Sequence, residues 1–575
     1  MHWIINRKTR LRTFIRCKKH LEFVLQNSPK SFVHVSRFFS SRAGFGSQGE
    51  TTKPYFITTP IFYVNAEPHI GHMYTACLAD AIQRFQQLQG RDTIFCTGTD
   101  EHGLKVQQAA EKHKVHPKAF CDRVSGTFKV LFGKCNVDYT DFIRTTEERH
   151  KRAVNEFWNV LVAKGYIYKG SYEGWYSVND ECFVSEAQVQ DAADGSGKVS
   201  IESGHPVEWN QEENYMFRLS LFRSELDKWL DEEVVQPSVY KGLAKSYLQN
   251  LTDLSISRGR ERLSWGIPVP GDDTQTIYVW LDALVNYLTV GGYPEQGFHW
   301  PADCHVVGKD ILKFHAIYWP AFLMAAGLDP PRNILCHSHW LRDQKKMSKS
   351  KGNVVNPMEV MDRVTPEGLR YFLLRTGMLE WDADFTDERL IDVLNSELAN
   401  VLGNIVSRVT AKKLNPKHCY PPFMPEVWEE FCQEEDRVLL EKLKELPGKF
   451  FSVKLLLTIG EVTQHYQNYH VPRAADAISE VLHLTNQFLD RNAPWKLIKD
   501  PTNACHVSNI LHIATEASRV SAILLQPIIP CLADQLLTYL NIPPRDRMWD
   551  SVGKTVTDQR AFTSKQYIFF ERLQS

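Results

Sequence analysis

The sequence predicts an α/β protein in which a parallel-sheet core is interrupted by an inserted domain and followed by an all-α helical bundle. Residues 54–165 alternate short β-rich runs with amphipathic helices, the pattern of a parallel sheet with crossover helices. Residues 166–262 instead carry closely spaced turn signals, and from Glu388 to about residue 545 the pattern is almost wholly helical. At 575 residues the chain is too long for one hydrophobic core, so we expect three or four domains.

The core begins with two strands and the helix that joins them. Residues 55–59 and 92–97 are short apolar runs, which are typical of strands buried in a parallel sheet. The helix begins near Ile70 and places apolar side chains on one face, at Tyr74, Leu78, Ile82 and Phe85. We therefore expect a strand–helix–strand unit with one buried helix face.

The α/β pattern resumes after the insertion. Strand-like runs at 275–281, 305–308 and 333–336 are followed by a basic loop at 342–352, and residues 566–570 predict a last strand or helix. The predicted segments are a leader (1–39), a Gly/Ser-rich lead-in (40–53), the first half of the α/β domain (54–165), the insertion (166–262), the second half (263–340), the basic loop and the region after it (341–390), the helical domain (391–550) and a tail (551–575).

The first 39 residues have the composition of a mitochondrial transit peptide. They hold nine Lys and Arg against one acid, Glu22, and Arg37-Phe38-Phe39-Ser40 resembles a matrix-protease site cut after Phe39. A basic nucleic-acid-binding arm is the alternative. We expect the mitochondrial matrix as the location.

The remaining chain is acidic. It keeps 58 basic and 67 acidic residues, a net charge of about −9, so it must bind any nucleic acid through local basic patches. No run of 18 or more apolar residues is present, and we expect no membrane partner. The twelve cysteines form no C-x-x-C pair, which argues against a disulfide framework and a structural zinc site.

Two short strings outline a nucleotide site without a P-loop. In the first, His69 and His72 flank Gly71 where a strand passes into a helix, so backbone N–H groups and two imidazoles can face phosphates. Gly71 lacks a Cβ, which lets an adenine lie against the backbone. Taken alone, two histidines at a helix start are more often capping or packing residues.

The second string is Lys346-Met347-Ser348-Lys349-Ser350. Lys346, Ser348 and Lys349 lie in a loop that can close over a triphosphate and meet the charge that grows in the transition state. Taken alone, such a loop is more often a solvated basic turn.

Together, these strings and the residues between them identify a resemblance. The pair is the signature of class I aminoacyl-tRNA synthetases, and longer runs resemble the methionyl-tRNA synthetases: 58–72, 97–103, 278–283, 308–310 and 314–320. The resemblance covers about residues 54–500 with every motif in order, and the leader is similar to that of a mitochondrial member. It implies a Rossmann-like catalytic domain, an inserted connective domain, a stem-contact region at 341–390 and an anticodon-binding bundle.

The resemblance implies a methionine site and a two-step ligase reaction. The family's methionine-binding positions correspond here to Ile61, Tyr63, Asp100, Trp280, Ala283, Tyr287, Ile311, Phe314, His315 and Trp319. Asp100 matches the carboxylate that holds the α-amino group, and aromatic rings suit a thioether. ATP with Mg²⁺ and L-methionine would give methionyl-adenylate and pyrophosphate, and the methionyl group would pass to the 3′ end of tRNA. His69, His72, Lys346 and Lys349 are the expected catalytic residues, acting by orientation and charge.

The resemblance also sets expectations for the insertion and the bundle. Ser177 and Asp180 stand where zinc-bearing relatives have cysteines, so no zinc is predicted. Asn404, Arg408 and Trp495 match anticodon-contact positions, and implied partners are L-methionine and mitochondrial tRNA(Met) with a CAU anticodon. A monomer is expected.

Three alternatives remain open at this stage. Another class I synthetase, for cysteine or an aliphatic amino acid, would need zinc ligands or a larger insertion. A nucleotidyltransferase also uses H-x-G-H but needs no helical bundle. An inactive RNA-binding factor would not need the combination of His69, His72, Lys346, Lys349 and Asp100.

Overall fold

The computed structural model describes residues 53–177, 182–184, 186–192, 195, 197–201, 203–347, 352–445, 460–564 and 567–574. The predicted leader lies outside these residues, as do Asp180 of the insertion and Ser348 and Lys349 of the basic loop.

The strands of the described residues are short apart from two in the insertion. They are β1 Tyr55–Tyr63, β2 Thr93–Asp100, β3 Asp141–Arg144, β4 Ile167–Ser177, β5 Cys182–Val184, β6 Val189–Asp191, β7 Lys198–Ser200, β8 Pro206–Phe217, β9 Val235–Gln236, β10 Leu254–Ser255, β11 Ser257–Gly259, β12 Pro268–Val269, β13 Asp272–Ile277, β14 Cys304–Gly308, β15 Ile334–His337, β16 Trp340–Arg342, β17 Lys345–Lys346 and β18 Ala383–Asp384.

The helices are concentrated around the first three strands and in the C-terminal half. They are α1 Ile70–Leu88, α2 Leu104–Lys112, α3 Pro117–Lys134, α4 Glu148–Ala163, α5 Arg223–Asp231, α6 Val239–Ser246, α7 Val279–Gly291, α8 Trp319–Ala326, α9 Pro357–Val364, α10 Pro366–Thr376, α11 Asp387–Val393, α12 Asn404–Thr410, α13 Pro425–Phe431, α14 Glu434–Glu445, α15 Glu461–Gln467, α16 Val471–Asn492, α17 Pro494–Leu497, α18 Ala504–Leu525 and α19 Pro530–Tyr539. Single π-helical segments at Phe314–Tyr318 and Leu394–Gly403 precede α8 and α12.

A six-stranded parallel sheet forms the core, in the order β3-β2-β1-β14-β15-β9. The predicted α/β class with a parallel sheet is therefore confirmed. Its side chains alternate between two cores: Val306 and Leu335 join the core shared with α1, whereas Val307 and Cys336 join the core around α7 and α8. This period of two buries both faces, which explains why the strands read as continuous apolar runs.

Helix α1 lies against the sheet and carries the first motif at its start. We expected one buried face, but apolar and polar positions alike are buried along most of its length. Asp80 on this helix is fully buried and pairs with Arg370 of α10 and with Arg84. The helix is central because α10 covers the side that a surface helix would turn to solvent.

Two local predictions need correction. The strand expected at 275–281 ends at Ile277 and is antiparallel, in a small sheet with β11 and β12; α7 begins at Val279. Its apolar run continues into a helix, which periodicity alone could not separate. The tail forms neither strand nor helix over its described residues 567–574, although Phe569 and Phe570 are buried against the bundle core.

The insertion is built on the long antiparallel pair β4 and β8. Its sheet has the order β5-β4-β8-β7-β6, with β10 beside β8. The range predicted for it, 166–262, also contains β9, which returns to pair with β15 at the edge of the parallel sheet. Main-chain hydrogen bonds between β9 and β15 thus connect the insertion to the parallel sheet.

No helix among the described residues is long and apolar enough to cross a membrane.

Candidate active site and anticodon-contact region

The first motif forms a local structure at the start of α1. His69 is the N-cap: its Nδ1 accepts from Gly71 N at 3.0 Å, and its own N–H donates to His72 Nδ1 at 3.1 Å. The two imidazole rings stack with centroids 3.8 Å apart. Each ring therefore already serves the helix terminus, and both sit where the terminal N–H groups of α1 face outward. A Cβ on Gly71 would lie 2.9 Å from His69 Cε1, so the glycine leaves space for the folded-back ring.

The second motif begins on a hairpin beside this terminus. Strands β16 and β17 are joined by Asp343 and Gln344, both with positive φ, which suits a tight two-residue turn. Lys346 at its end is exposed. Partial desolvation acts to raise the pKa of Asp310, but a hydrogen bond from His339 and the charges of His339 and Lys346 hold that pKa below its usual range.

The chain leaving the basic loop returns to α1. Ile70 N donates to Val355 O at 3.2 Å, so the segment after the second motif touches the first residue of the helix that the first motif caps. A cavity of about 350 Å³ opens beside this contact, with Pro68, Val354 and Asn356 on its wall opposite α3. Residues 65–68, just before the first motif, and Val354 and Asn356, just after the second, thus line the same cavity.

The residues predicted for methionine line up as an aromatic wall between β1, α7 and the π-helical turn before α8. Trp280 and Phe314 stack with centroids 3.6 Å apart and ring planes 7° apart. The Tyr287 hydroxyl donates to His315 Nε2 at 2.8 Å, and the centroids of the Tyr287 and Trp319 rings are 6.0 Å apart. Ile311 supplies the carbonyl that accepts from His315 Nδ1 at 2.9 Å, and Ala283 is buried one turn before Tyr287.

Asp100 lies at the carboxyl end of β2, beside the end of β1. It is paired in register with Tyr63, and its carbonyl accepts from Val64 N at 3.2 Å. Ile61 pairs with Gly98 two residues earlier, after a register shift in β1. Polar side chains that end neighbouring parallel strands meet at one edge of the sheet, which is where open α/β sheets bind ligands.

Sequence reasoning missed the residues that hold the Asp100 loop. Asp282 on α7 accepts from His102 Nδ1 at 2.7 Å and from His150 Nε2 at 2.8 Å, and all three are buried. Burial acts to raise the pKa of Asp282, but the two histidines outweigh it and hold the pKa at about 2. Trp265 Nε1 donates to Glu101 O at 2.6 Å from the other side. Asp282, which lies in the run 278–283 that resembles the family, was the sequence signal that could have pointed to these contacts.

His305 was also missed, although it lies within the wall. It contacts Thr58, Tyr287 and Trp319 and is fully buried. Its strand, β14, was assigned only from its apolar residues, and nothing in the local pattern distinguishes this histidine from a packing residue.

The predicted anticodon residues form a separate group on the helical bundle. Arg408 places its guanidinium 5.4 Å from the Trp495 ring centroid and pairs with Asp490 at 2.8 Å. Asn404, one turn earlier, donates to Asn486 Oδ1 at 3.2 Å. Trp495 is 37% exposed and follows Ala493, whose left-handed backbone turns the chain at the end of α16. The group offers an exposed ring backed by a cation.

Comparison with known proteins finds two family models and several curated relatives that match this chain. A family model for class I tRNA synthetases (M) matches residues 55–410, and one for the anticodon-binding domain of methionyl tRNA ligase matches 449–569. The mitochondrial methionine–tRNA ligase of Homo sapiens is 49% identical over 89% of this chain and 88% of its own length. The probable mitochondrial methionine–tRNA ligase of Dictyostelium discoideum is 43% identical over 87% and 88%.

Solved structures show the same fold. A Mycobacterium tuberculosis methionyl-tRNA synthetase bound by methionyl-adenylate superposes with a TM-score of 0.83 at 36% identity, covering 90% of this chain and all of the other. The family models alone cover most of the described residues. The chain therefore belongs to the methionyl-tRNA synthetases, a family of class I tRNA synthetases.

Proposed function

We propose that this chain is a methionine–tRNA ligase that activates L-methionine with ATP and then charges tRNA(Met). The two motifs would contact ATP, and the aromatic wall would contact methionine. The observation that carries the proposal is the convergence of three features at one edge of the parallel sheet. The histidine pair caps α1 after β1, Asp100 ends β2, and the wall of Tyr287, His315 and Trp319 contacts β1 and β14 through His305.

In the first step, the methionine carboxylate attacks the α-phosphate of ATP and pyrophosphate leaves. No protein nucleophile is needed, so the chain's part is to orient the two substrates and to neutralise charge. Asp100 would anchor the α-ammonium group while the aromatic wall contacts the thioether. His69, Gly71 and His72 would meet the nucleotide at the helix terminus, with Lys346, Ser348 and Lys349 approaching from the loop.

ATP would enter as its Mg²⁺ complex, because Mg²⁺ keeps several waters and is commonly bound through substrate phosphates. No group of three or more His, Cys, Asp or Glu side chains in the described part of the chain is arranged to hold a metal. We propose no resident structural zinc, because Ser177 and Asp180 stand where zinc-bearing relatives have cysteines.

In the second step, the 3′-terminal hydroxyl of tRNA takes the methionyl group from the adenylate. Asn404, Arg408 and Trp495 would contact the CAU anticodon, with the exposed indole stacking on an unpaired base. We propose mitochondrial tRNA(Met) as the partner, the mitochondrial matrix as the location and a monomer as the working form. The names of the curated relatives and the basic leader support the mitochondrial location.

ATP–pyrophosphate exchange with each of the twenty amino acids tests the activation step. We expect exchange with methionine and background rates with the others. Exchange with another amino acid at a comparable rate would overturn the proposed substrate.

Trp495→Ala tests the anticodon proposal. We expect charging of tRNA(Met) to fall at least about tenfold, since stacking on one base contributes about 1–3 kcal/mol, while exchange is unchanged. Equal loss in both assays would point to a folding defect instead, and unchanged charging would exclude the contact.

A further inference from the structure

Trp381 is an exposed residue that the proposed mechanism does not use. It lies between α10 and β18, and 63% of its surface is exposed, the largest fraction for any tryptophan among the residues that the structure describes. The core tryptophans Trp319 and Trp340 are buried. A single exposed apolar side chain is ordinary in itself, but tryptophan is enriched at binding surfaces, so the position of this indole decides its meaning.

The main chain on both sides of Trp381 is bonded to the residues that follow β15. Ser338 N donates to Leu379 O at 3.0 Å, and Ala383 N donates to His339 O at 3.0 Å. Ser338 and His339 come directly after the carboxyl end of β15. Trp381 therefore flanks the edge of the parallel sheet at which open α/β sheets bind ligands.

Asp382, the next residue, connects this segment to a second strand of the sheet. Its Oδ1 accepts from His339 N at 2.9 Å and from Lys309 Nζ at 2.6 Å, and Lys309 directly follows β14. Burial acts to raise the pKa of Asp382, but the bonds from Lys309 and His339 hold that pKa below its usual range. The backbone that carries the indole is thus fixed on both sides, so little ordering is needed when a ligand stacks on it.

Exposed cations lie on the small sheet beside the indole. Its strand order is β17-β16-β18, so β17 and the segment of Trp381 flank the same strand. Lys345 and Lys346 of β17 are exposed, whereas Asp384 of β18 accepts from Gln344 N at 3.0 Å. Single-stranded nucleic acids bind where cations meet the phosphates and an aromatic ring meets the bases.

The acid that precedes the indole faces the fold. Glu380 is partly buried, and its charge adds to the effect of burial in raising the pKa of the buried Tyr74 and Tyr240. Because Glu380 acts on these inner residues and Asp382 is paired with Lys309, the outer surface at Trp381 is dominated by the indole.

We propose that Trp381 is a stacking platform for the unpaired 3′ end of the tRNA. The tRNA must bring its terminal hydroxyl to this edge of the sheet to take the methionyl group, and unpaired bases stack readily on aromatic side chains. The adenine of ATP is assigned to the backbone at Gly71, which leaves the indole for a tRNA base. This inference rests on the proposed function.

The test compares two tRNA ligands in charging assays with the full chain. Intact tRNA(Met) is the substrate, and tRNA(Met) without its terminal CCA competes with it but cannot be charged. For wild-type protein we expect the Ki of the shortened tRNA to exceed the KM of the intact tRNA by about tenfold or more. Trp381→Ala should raise that KM at least about tenfold, leave the Ki unchanged and leave ATP–pyrophosphate exchange unchanged.

Two further variants separate stacking from other effects. Trp381→Phe keeps an aromatic face, so its KM for tRNA should stay within about threefold of wild type. Phe431→Ala removes another exposed aromatic ring, on α13, which contacts His506 of the bundle. It should leave the ratio of Ki to KM at the wild-type value.

The outcomes distinguish this inference from the proposed function. Wild-type protein without methionine-dependent exchange would overturn the proposed function. Wild-type exchange and charging combined with an unchanged KM for tRNA in Trp381→Ala would overturn only the inference.

Other occupants of the indole give different results. An equal rise of Ki and KM in Trp381→Ala would place the contact on the paired part of the tRNA and overturn the inference. A raised KM for ATP in exchange would assign the indole to the adenine of ATP instead. A change of oligomeric state in analytical ultracentrifugation would assign it to a second copy of the chain.

Discussion

The two histidine-bearing parts of the candidate site are built on opposite principles. His69 and His72 bond to backbone atoms two and three residues away and remain partly exposed at a helix terminus. His305 and His315 are buried, and His305 bonds to Thr58, 247 residues earlier in the chain. The first arrangement leaves imidazoles ready to meet a charged ligand. In the second arrangement, the ring N–H groups of His305 and His315 are hydrogen-bonded within the protein, so the rings present an apolar surface.

We therefore expect substitutions in the buried wall to lower both stability and activity. Substitutions near the first motif should lower activity with little effect on stability.

Trp319→Ala should damage both stability and activity. The indole is fully buried between Tyr287, Trp300 and His305, so its removal should cost about 3–5 kcal/mol in the free energy of unfolding. Methionine activation should fall to background because the wall loses its centre. Urea unfolding and exchange assays measure the two effects. A fully active, stable variant would show that the wall is not a single packed unit.

Asp100→Ala should damage activity alone. Losing one partner of a buried charge pair costs about 2–5 kcal/mol, so kcat/KM for methionine should fall by about thirtyfold to several thousandfold. Asp100→Asn keeps the size of the side chain and should lose nearly as much. Unchanged thermal midpoints in both variants would assign the loss to the anchor. Exchange near the wild-type rate in either variant would rule the anchor out.

His69→Ala should lower kcat for activation by about a hundredfold if the imidazole stabilises transition-state charge. The lost cap should cost only about 1 kcal/mol of stability. His69→Asn supplies a good N-cap without the imidazole, so it should regain the stability but keep the loss in kcat. Recovery of activity by Asn would mean that capping, rather than contact with the nucleotide, is the role of His69.

The pH dependence of stability should report the buried wall. The pKa of His315 is lowered from 6.5 to about 4 in the folded state, so between these values the unfolded state binds more protons. Stability from this group is complete above about pH 6.5 and is lost as the pH falls towards 4, by roughly 2–3 kcal/mol. Urea unfolding of wild type and His315→Gln at pH 7, 5.5 and 4 measures this. Parallel curves for the two proteins would contradict it.

The sequence predicted the elements whose interactions are local or periodic. Both motifs, the strands around 55–59 and 92–97 and the helix from Ile70 follow from turn chemistry and from repeats of two or 3.6 residues. The strand expected at 275–281 was wrong beyond Ile277 because a short apolar run fits a strand and a buried helix equally well. The sequence also did not predict that α1 is buried on more than one face. The helix that covers it, α10, begins at Pro366, 278 residues after α1 ends at Leu88.

The order of motifs, the fold class and the family resemblance could be predicted before any coordinates, because they depend on residue type and on spacing along the chain. The identity of the side chains that pack behind those motifs depends instead on tertiary contacts. The pairing of His102 and His150 with Asp282 and the placement of His305 between Thr58 and Trp319 depend on strand register and helix packing across more than a hundred residues. Those contacts hold the Asp282 carboxylate in place and determine the tautomer of His305, and no local pattern encodes them.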